Sequence, residues 1–433
     1  MLPALAAPSL WPSSPLPLRA AVDIAGVRYL LDPALAATAL AFVAGGIILG
    51  TVSGLTPGLH ANNMALLLAS VAPTIPGPPR LVGAALLATG VVHTFLDVVP
   101  ALALGVPDPA MAASALPGHR LVLEGRGREA LRLSALGSGL AVLLAVPLAI
   151  PVTRAMVVAY PTLRAHLPLV LGATALVLVL TERDAVRMLV GAGSFLASGA
   201  LGWLTLDLNP AAPLAVGGVL TPLFAGLFGA PVLVDALEGN GVPPQGDATV
   251  ATAPRTVARL GAVGMLAGAV VGYVPGVSSA VAATVALLAV GGSGARGFVV
   301  TTSGVNTANS VFALFALVAL GSPRTGVLVA LETARAPLNL PLLLVAAALA
   351  AAAGFCLVPL LGDRYLRRLR DADYTRLSAA VLVGLGVVSF AFAGATGVGI
   401  FLIAAALGLV PARLGARRSH LMGVLMGPLI VGA

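Results

Sequence analysis

Fourteen apolar stretches, separated by short loops rich in Arg, Asp and Pro, occupy most of this 433-residue sequence. They constrain the fold more than any other feature. A spanning helix needs about 20 apolar residues, and runs approaching that length lie near 33–54, 57–72, 80–106, 134–153, 167–181, 185–205 and 212–233. A second set lies near 256–274, 276–292, 297–320, 337–361, 377–393, 395–411 and 420–433. With 59% hydrophobic and 9% charged residues, the chain lacks the polar surface to keep these runs in water. A soluble enzyme, a nucleic-acid module and a disordered chain are thereby excluded. The expected fold is an all-α polytopic protein of the cell membrane.

The two sets of seven match in order and in residues. Gly46, Gly50, Gly54, Pro57 and Gly58 recur as Gly264, Gly268, Gly272, Pro275 and Gly276, all at one offset. Gly105 and Pro107 recur as Gly321 and Pro323 with a drift of two residues. Self-similarity at a fixed period marks a duplicated architecture. The expected organisation is a flexible tail over 1–32 and repeat 1 over 33–233, opening with a broken hairpin at 33–72. A cytoplasmic linker over 234–255 leads to repeat 2 over 256–433, opening with a hairpin at 256–292. About five spanning helices follow each hairpin.

Arginine placement orients the repeats. If each hairpin enters and leaves on one side, every half crosses the membrane an odd number of times. One side then receives 17 of the 24 basic residues, all of them Arg, and the other keeps 7. This is the bias of a cytoplasmic face. An even number of crossings gives no clear bias, so inverted-topology repeats are expected, with both termini outside. The net charge of +8 is accounted for by these loops, with no nucleic-acid partner. Cys356 is the single cysteine, so no intrachain disulfide and no Cys-based metal site can form.

Inverted repeats with interrupted helices are a common design in secondary transporters, whose sites lie near the midplane. Proline lacks an amide hydrogen and glycine adopts angles other residues resist, so no helix runs smoothly through Pro57–Gly58 or Pro275–Gly276. The helix restarting after each break offers free amides and a positive dipole end to a carboxylate or phosphate. A kink in a packed helix, with the glycine rows serving close packing, is the plainer alternative. Polar residues cluster beside the breaks: His60, Asn62 and Asn63 after the first, Ser278 and Ser279 after the second. They are candidate substrate ligands or helix caps. The following segment of each half carries Thr89, His93, Thr94 and Asp97, then Asn306, Thr307, Asn309 and Ser310. Asn306 and Asn309 join the candidate substrate site. Asp97 is a carboxylate well inside an apolar span, one helical turn after His93, and an ionisable group at that depth is a candidate for carrying Na⁺ or a proton. Packing of His93 and Asp97 against each other is the alternative. No metal site, P-loop or catalytic constellation is read, so neither an enzyme nor an ATPase is expected.

The doubled G-x-x-x-G-x-x-P-G, the run VLTPLFAGLFGAPVL at 219–233 and the closing SHLMGVLMGPLI at 419–430 resemble the TctA family, the large membrane subunit of tripartite tricarboxylate transporters, and especially its archaeal-type members. The resemblance covers nearly the whole chain. It implies Na⁺- or proton-coupled transport of citrate-like tricarboxylates or dicarboxylates. It also implies a small membrane subunit and an extracytoplasmic binding protein as partners; a homodimer is left open. Matching positions are Gly50, Gly54, Pro57 and Gly58 with Gly268, Gly272, Pro275 and Gly276. After the first break the usual small residues are replaced by Leu59, His60, Ala61, Asn62 and Asn63. A similar doubled Pro-Gly architecture occurs in polyprenyl-phosphate translocases of the PopT type, so a lipid phosphate is the alternative cargo.

Overall fold

Asp32 starts the first long helix. Its Oδ1 accepts from the amides of Ala34 and Leu35 at 3.1 Å each, and Pro33 takes the first helical position, where an amide would have no partner. This is seen in a computed structural model that describes residues 20–24, 27–57, 64, 67–68, 74–105, 112–214, 218–237, 242–274, 277–290, 294–370 and 373–432. The first half of the chain contributes α1 (Pro33–Leu55), α2 (Pro79–Leu104), α3 (Ala112–Leu123) and α4 (Gly127–Ala165). It continues with α5 (Leu167–Leu180), α6 (Ala185–Thr205) and α7 (Leu220–Ala236). The second half contributes α8 (Pro254–Tyr273), α9 (Ser279–Val290), α10 (Gly294–Leu320) and α11 (Gly326–Thr333). It ends with α12 (Leu340–Arg370), α13 (Tyr374–Arg413) and α14 (Arg418–Val431).

Among the described residues, eight helices are long and apolar enough to cross a membrane: α1, α2, α4, α6, α8, α10, α12 and α13. The protein is a multi-pass, nearly all-helical membrane protein. Several details differ from the sequence expectation. The span expected at 134–153 is the middle of a 39-residue helix, about 58 Å long. That length exceeds the hydrocarbon thickness of about 30 Å, so its Arg-rich start stands clear of the apolar layer. The short helices α3 and α11 lacked a long apolar run and were not expected. Within the expected tail, Ala20–Ile24 and Val27–Leu31 pair as a two-stranded antiparallel ribbon, β1 and β2. Most of the expected segment at 57–72 lies outside the described residues.

Glycine rows set the closest helix contacts. Gly46, Gly50 and Gly54 of α1 lie on α2, where a Cβ at Gly46 or Gly50 would press into the carbonyls of Ala85 or Thr89, and one at Gly54 would meet Leu96 Cβ at 2.8 Å. In α8, a Cβ at Gly264 would lie 2.7 Å from Thr301 O, at Gly268 2.7 Å from Ala308 Cβ, and at Gly272 2.8 Å from Phe312 Cβ. Contacts that advance in step on both chains mean that α1 runs parallel to α2 and α8 parallel to α10. The chain must therefore turn back between each pair.

The helices α4 and α12 hold corresponding places in the two halves and run antiparallel. Gly139 faces Phe355, Leu131 faces Gly362, and Arg128 and Arg132 meet Asp363. Asp363 accepts from both guanidiniums at 3.0–3.2 Å. Nearby, Glu129 pairs with Arg126 at 2.7 Å and Arg296 at 2.9 Å. These pairs join helix ends that the arginine pattern assigns to one side. α2 is enclosed, with 89% of its spanning window buried against 17% for α1, so α2 lies at the centre and α1 at the rim.

The packing joins the two halves of the chain closely. Gly202 of α6 abuts Val424 of α14, while Gly226 and Gly408 bring α7 against α13. One core cluster draws Leu171 and Leu178 from α5, Leu223, Leu227 and Phe228 from α7, Ile400 and Ala404 from α13, and Met422 and Val424 from α14. Within α13 the helix breaks at Ala393 and Gly394, where Gly394 adopts φ 58° and ψ −153°. Leu214 and Gly218 donate their amides to the carbonyls of Ala391 and Phe392 at 3.1 and 2.7 Å, so backbone from the first half caps the break in α13.

Candidate functional site

The polar centre sits on α2. From Leu81 onward it is almost wholly buried, and the helix is nearly surrounded by α1, α10 and α12, so each polar side chain along it needs a partner. His93 and Asp97 are both buried, at 1% and 4% exposure. They stand one turn apart, and the Asp97 amide donates to His93 O at 2.9 Å. His93 Nδ1 lies 2.9 Å from Ser53 Oγ of α1, just before the first break. Asp97 Oδ2 accepts from Asn306 Nδ2 of α10 at 2.7 Å. The pair on α2 is thus held from two directions: His93 toward the broken element of its own half, Asp97 toward the corresponding long helix of the other half.

Asn306 is buried, and Asn309 follows it one turn later, partly exposed. Asn309 Oδ1 is buried and takes no hydrogen bond among the described residues. A buried carbonyl oxygen without a donor is a costly arrangement for packing alone. Beside His93, a narrow cleft is lined by Ser53, Thr89, Gly90, Met64, Leu68 and Val327. Thr307 and Ser310 line a second cleft against α12. The centre of the molecule therefore carries a carboxylate, an imidazole, two carboxamides and several hydroxyls within an apolar frame.

The breaks are only partly visible. Pro57 follows the end of α1 and is half-buried. Gly58, His60, Asn62, Asn63, Pro275 and Gly276 lie outside the described residues. Ser278 Oγ accepts from Val281 N at 3.3 Å, a local cap for α9, and Ser279 is buried in its first turn. For Ser278 the geometry is that of the capping alternative. Among the described residues, no three His, Cys, Asp or Glu side chains cluster as a metal site.

Sequence reasoning missed Ser53 and the hydroxyl ladder between α4 and α10. Ser134 and Ser303 hydroxyls lie 2.8 Å apart, Thr307 donates to Ser138 Oγ at 2.8 Å, and Ser138 donates to Ser303 O at 3.1 Å. Ser53 shares the small-residue face of Gly46, Gly50 and Gly54, and that shared face was the signal that could have placed it opposite His93.

Eight apolar spans around a buried Asp–Asn contact define a polytopic membrane protein with a polar centre, the class to which transporters belong. A family model, the tripartite tricarboxylate transporter TctA family, matches residues 40–423, and the chain belongs to that family. It is a family of transporters rather than of enzymes. A protein of Methanocaldococcus jannaschii, described as uncharacterized, is 26% identical over 400 residues, covering 89% of this chain and 96% of its own length. No solved structure matches the chain.

Proposed function

We propose that the protein is a secondary active transporter of small organic anions, tricarboxylates or dicarboxylates, coupled to Na⁺ or H⁺. The observation that carries this reading is the Asp97–Asn306 contact, a buried carboxylate bridging corresponding helices of the two halves at 2.7 Å. A carboxylate in a membrane interior is costly unless function retains it. Its partner comes from the other half, so the two halves sense its charge together. Binding of Na⁺ or a proton at Asp97 changes the charge at that contact, and a relative movement of the halves is the natural response.

The antiparallel run of α4 and α12 supports inversion of one half relative to the other, while the shared parallel run of α1–α2 and α8–α10 supports duplication alone. In this reading the two Pro-Gly breaks face each other near the midplane, and their helix starts bind the substrate carboxylates. Pro57, Gly58, His60, Asn62 and Asn63 serve from one half, and Pro275, Gly276, Ser278, Ser279, Asn306 and Asn309 from the other. His93 and Asp97 serve the coupling ion. The small membrane subunit and the extracytoplasmic binding protein belong to this reading as partners.

The test is counterflow uptake of labelled citrate and succinate by the purified protein in liposomes, with and without a Na⁺ or proton gradient. Gradient-dependent accumulation that Asp97→Asn abolishes, in a variant that still folds, is the expected outcome. Coupling unchanged in that variant removes Asp97 from the mechanism. Uptake absent even with the partner subunits present, together with movement of a polyprenyl phosphate, overturns the carboxylate reading.

A further inference from the structure

At the Arg-rich end, the turn between α5 and α6 meets the chain entering α14. An open basin of about 890 Å³ lies there, lined by Arg183, Arg187, Arg417, Arg418, Ser419 and Phe298 among others. The carboxylates facing it are already engaged. Glu182 Oε1 accepts from the Arg417 amide at 2.9 Å and lies 2.8 Å from His420 Nε2. Asp184 caps α6 and pairs with Arg187 at 3.5 Å, and Asp235 lies 3.5 Å from Arg418 Nη2. Arg417 is further tied to Thr181, through its hydroxyl and carbonyl oxygens.

Two guanidiniums remain with capacity. Arg183 is exposed and makes no ion pair among the described residues. Arg418 is only 6% exposed, yet its Nε and Nη1 have no hydrogen-bond partner among the described residues. A buried guanidinium edge with two idle donors is costly unless an acceptor fills it, and paired guanidinium N–H groups match a tetrahedral oxyanion. Exposed Leu180, Val186, Leu189 and Leu414 each lie within two residues of a position that lines the basin. The basin therefore opens where acyl chains give way to headgroups.

We infer that this basin is a phosphate site, filled by the headgroup of an anionic lipid of the cytoplasmic leaflet. Arg418, at the floor, turns its idle donors toward the phosphate oxygens as the headgroup enters, Arg183 closes over them from the rim, and the flanking leucines and valine receive the chains. Basic pockets between helices on the cytoplasmic side take lipid headgroups by this chemistry. The lipid ties α14 to the α5–α6 turn, so the site braces the ends of both halves independently of what is transported.

The test follows thermal unfolding of the full-length protein, delipidated in a neutral detergent, by tryptophan fluorescence. Dioctanoyl phosphatidylglycerol raises the midpoint saturably, and dioctanoyl phosphatidylcholine does not. Arg418→Gln and Arg183→Gln each weaken the half-saturating lipid concentration about tenfold, whereas Arg80→Gln at the opposite end leaves it unchanged. Arg183 is exposed, so its variant carries the test if Arg418→Gln fails to fold. No saturable shift, or one unaltered in Arg183→Gln, overturns the site. Inorganic phosphate acting alone as strongly would keep the phosphate chemistry and overturn the lipid as its occupant.

Discussion

Asp97 and Asn306 meet across the two halves, and each can be altered separately. Asn306→Ala leaves a buried carboxylate oxygen without its donor, which costs about 2 kcal/mol. The expected outcome is a lower midpoint in micelle unfolding together with slower ion-driven uptake. Asp97→Asn removes the charge but keeps an acceptor for the Asn306 amide, so fold stability should hold while coupling fails. Loss of stability without loss of coupling would make the contact a packing device. His93 and Asp97 were legible in the sequence because an ionisable pair at helical spacing stands out in an apolar span. Ser53 was not, since one hydroxyl in a helix gives no sign of which neighbour it faces, and that neighbour lies forty residues away.

Among elements, the glycine rows set how closely helices approach. Gly268→Leu drives a side chain into Ala308 and the Val305 carbonyl, and a destabilisation of about 3 kcal/mol is expected from such overpacking. Substitution at Gly45, where a Cβ meets nothing within 4 Å, should leave the unfolding midpoint unchanged. The break in α13 was legible too: the sequence expectation already separated 377–393 from 395–411, and the structure places the non-helical angles at Ala393 and Gly394. Gly394→Ala adds a Cβ at positive φ against Ala211 O, so a loss of about 1 kcal/mol or more is expected. The short helices α3 and α11 escaped because periodicity and apolar length, the two signals that mark spanning helices, are weak over so few residues. The extra length of α4 escaped for a related reason. Its Arg-rich first turns read as a loop, whereas Arg128 and Arg132 are held in helical register by Asp363 of the other half.

For the whole molecule, sidedness is the most direct expectation. In a background lacking Cys356, single cysteines replacing the exposed Arg183 or Arg370 should react with an impermeant maleimide only after cells are opened. Cysteines at the exposed Arg80 or Arg335 should react in intact cells. Labelling of all four from outside would contradict the arginine pattern. The clamp between α4 and α12 belongs to the same scale. Asp363→Ala leaves two part-buried guanidiniums without their acceptor, and a loss of about 1 kcal/mol is expected, less than a fully buried pair would cost because the Arg side chains keep about a third of their surface in water. The glycine rows that the sequence pairs, Gly46, Gly50 and Gly54 with Gly264, Gly268 and Gly272, do serve alike as close helix contacts. What the sequence did not carry was which half each helix packs against. Because α6 closes on α14, α7 closes on α13, and the chain around Leu214 caps a break beyond residue 390, neither half contains a complete core of its own. A gene severed between residues 237 and 254 would thus encode two polypeptides that are each insoluble alone yet restore one another when co-expressed, a form of mutual dependence that ties the two halves to a single fate.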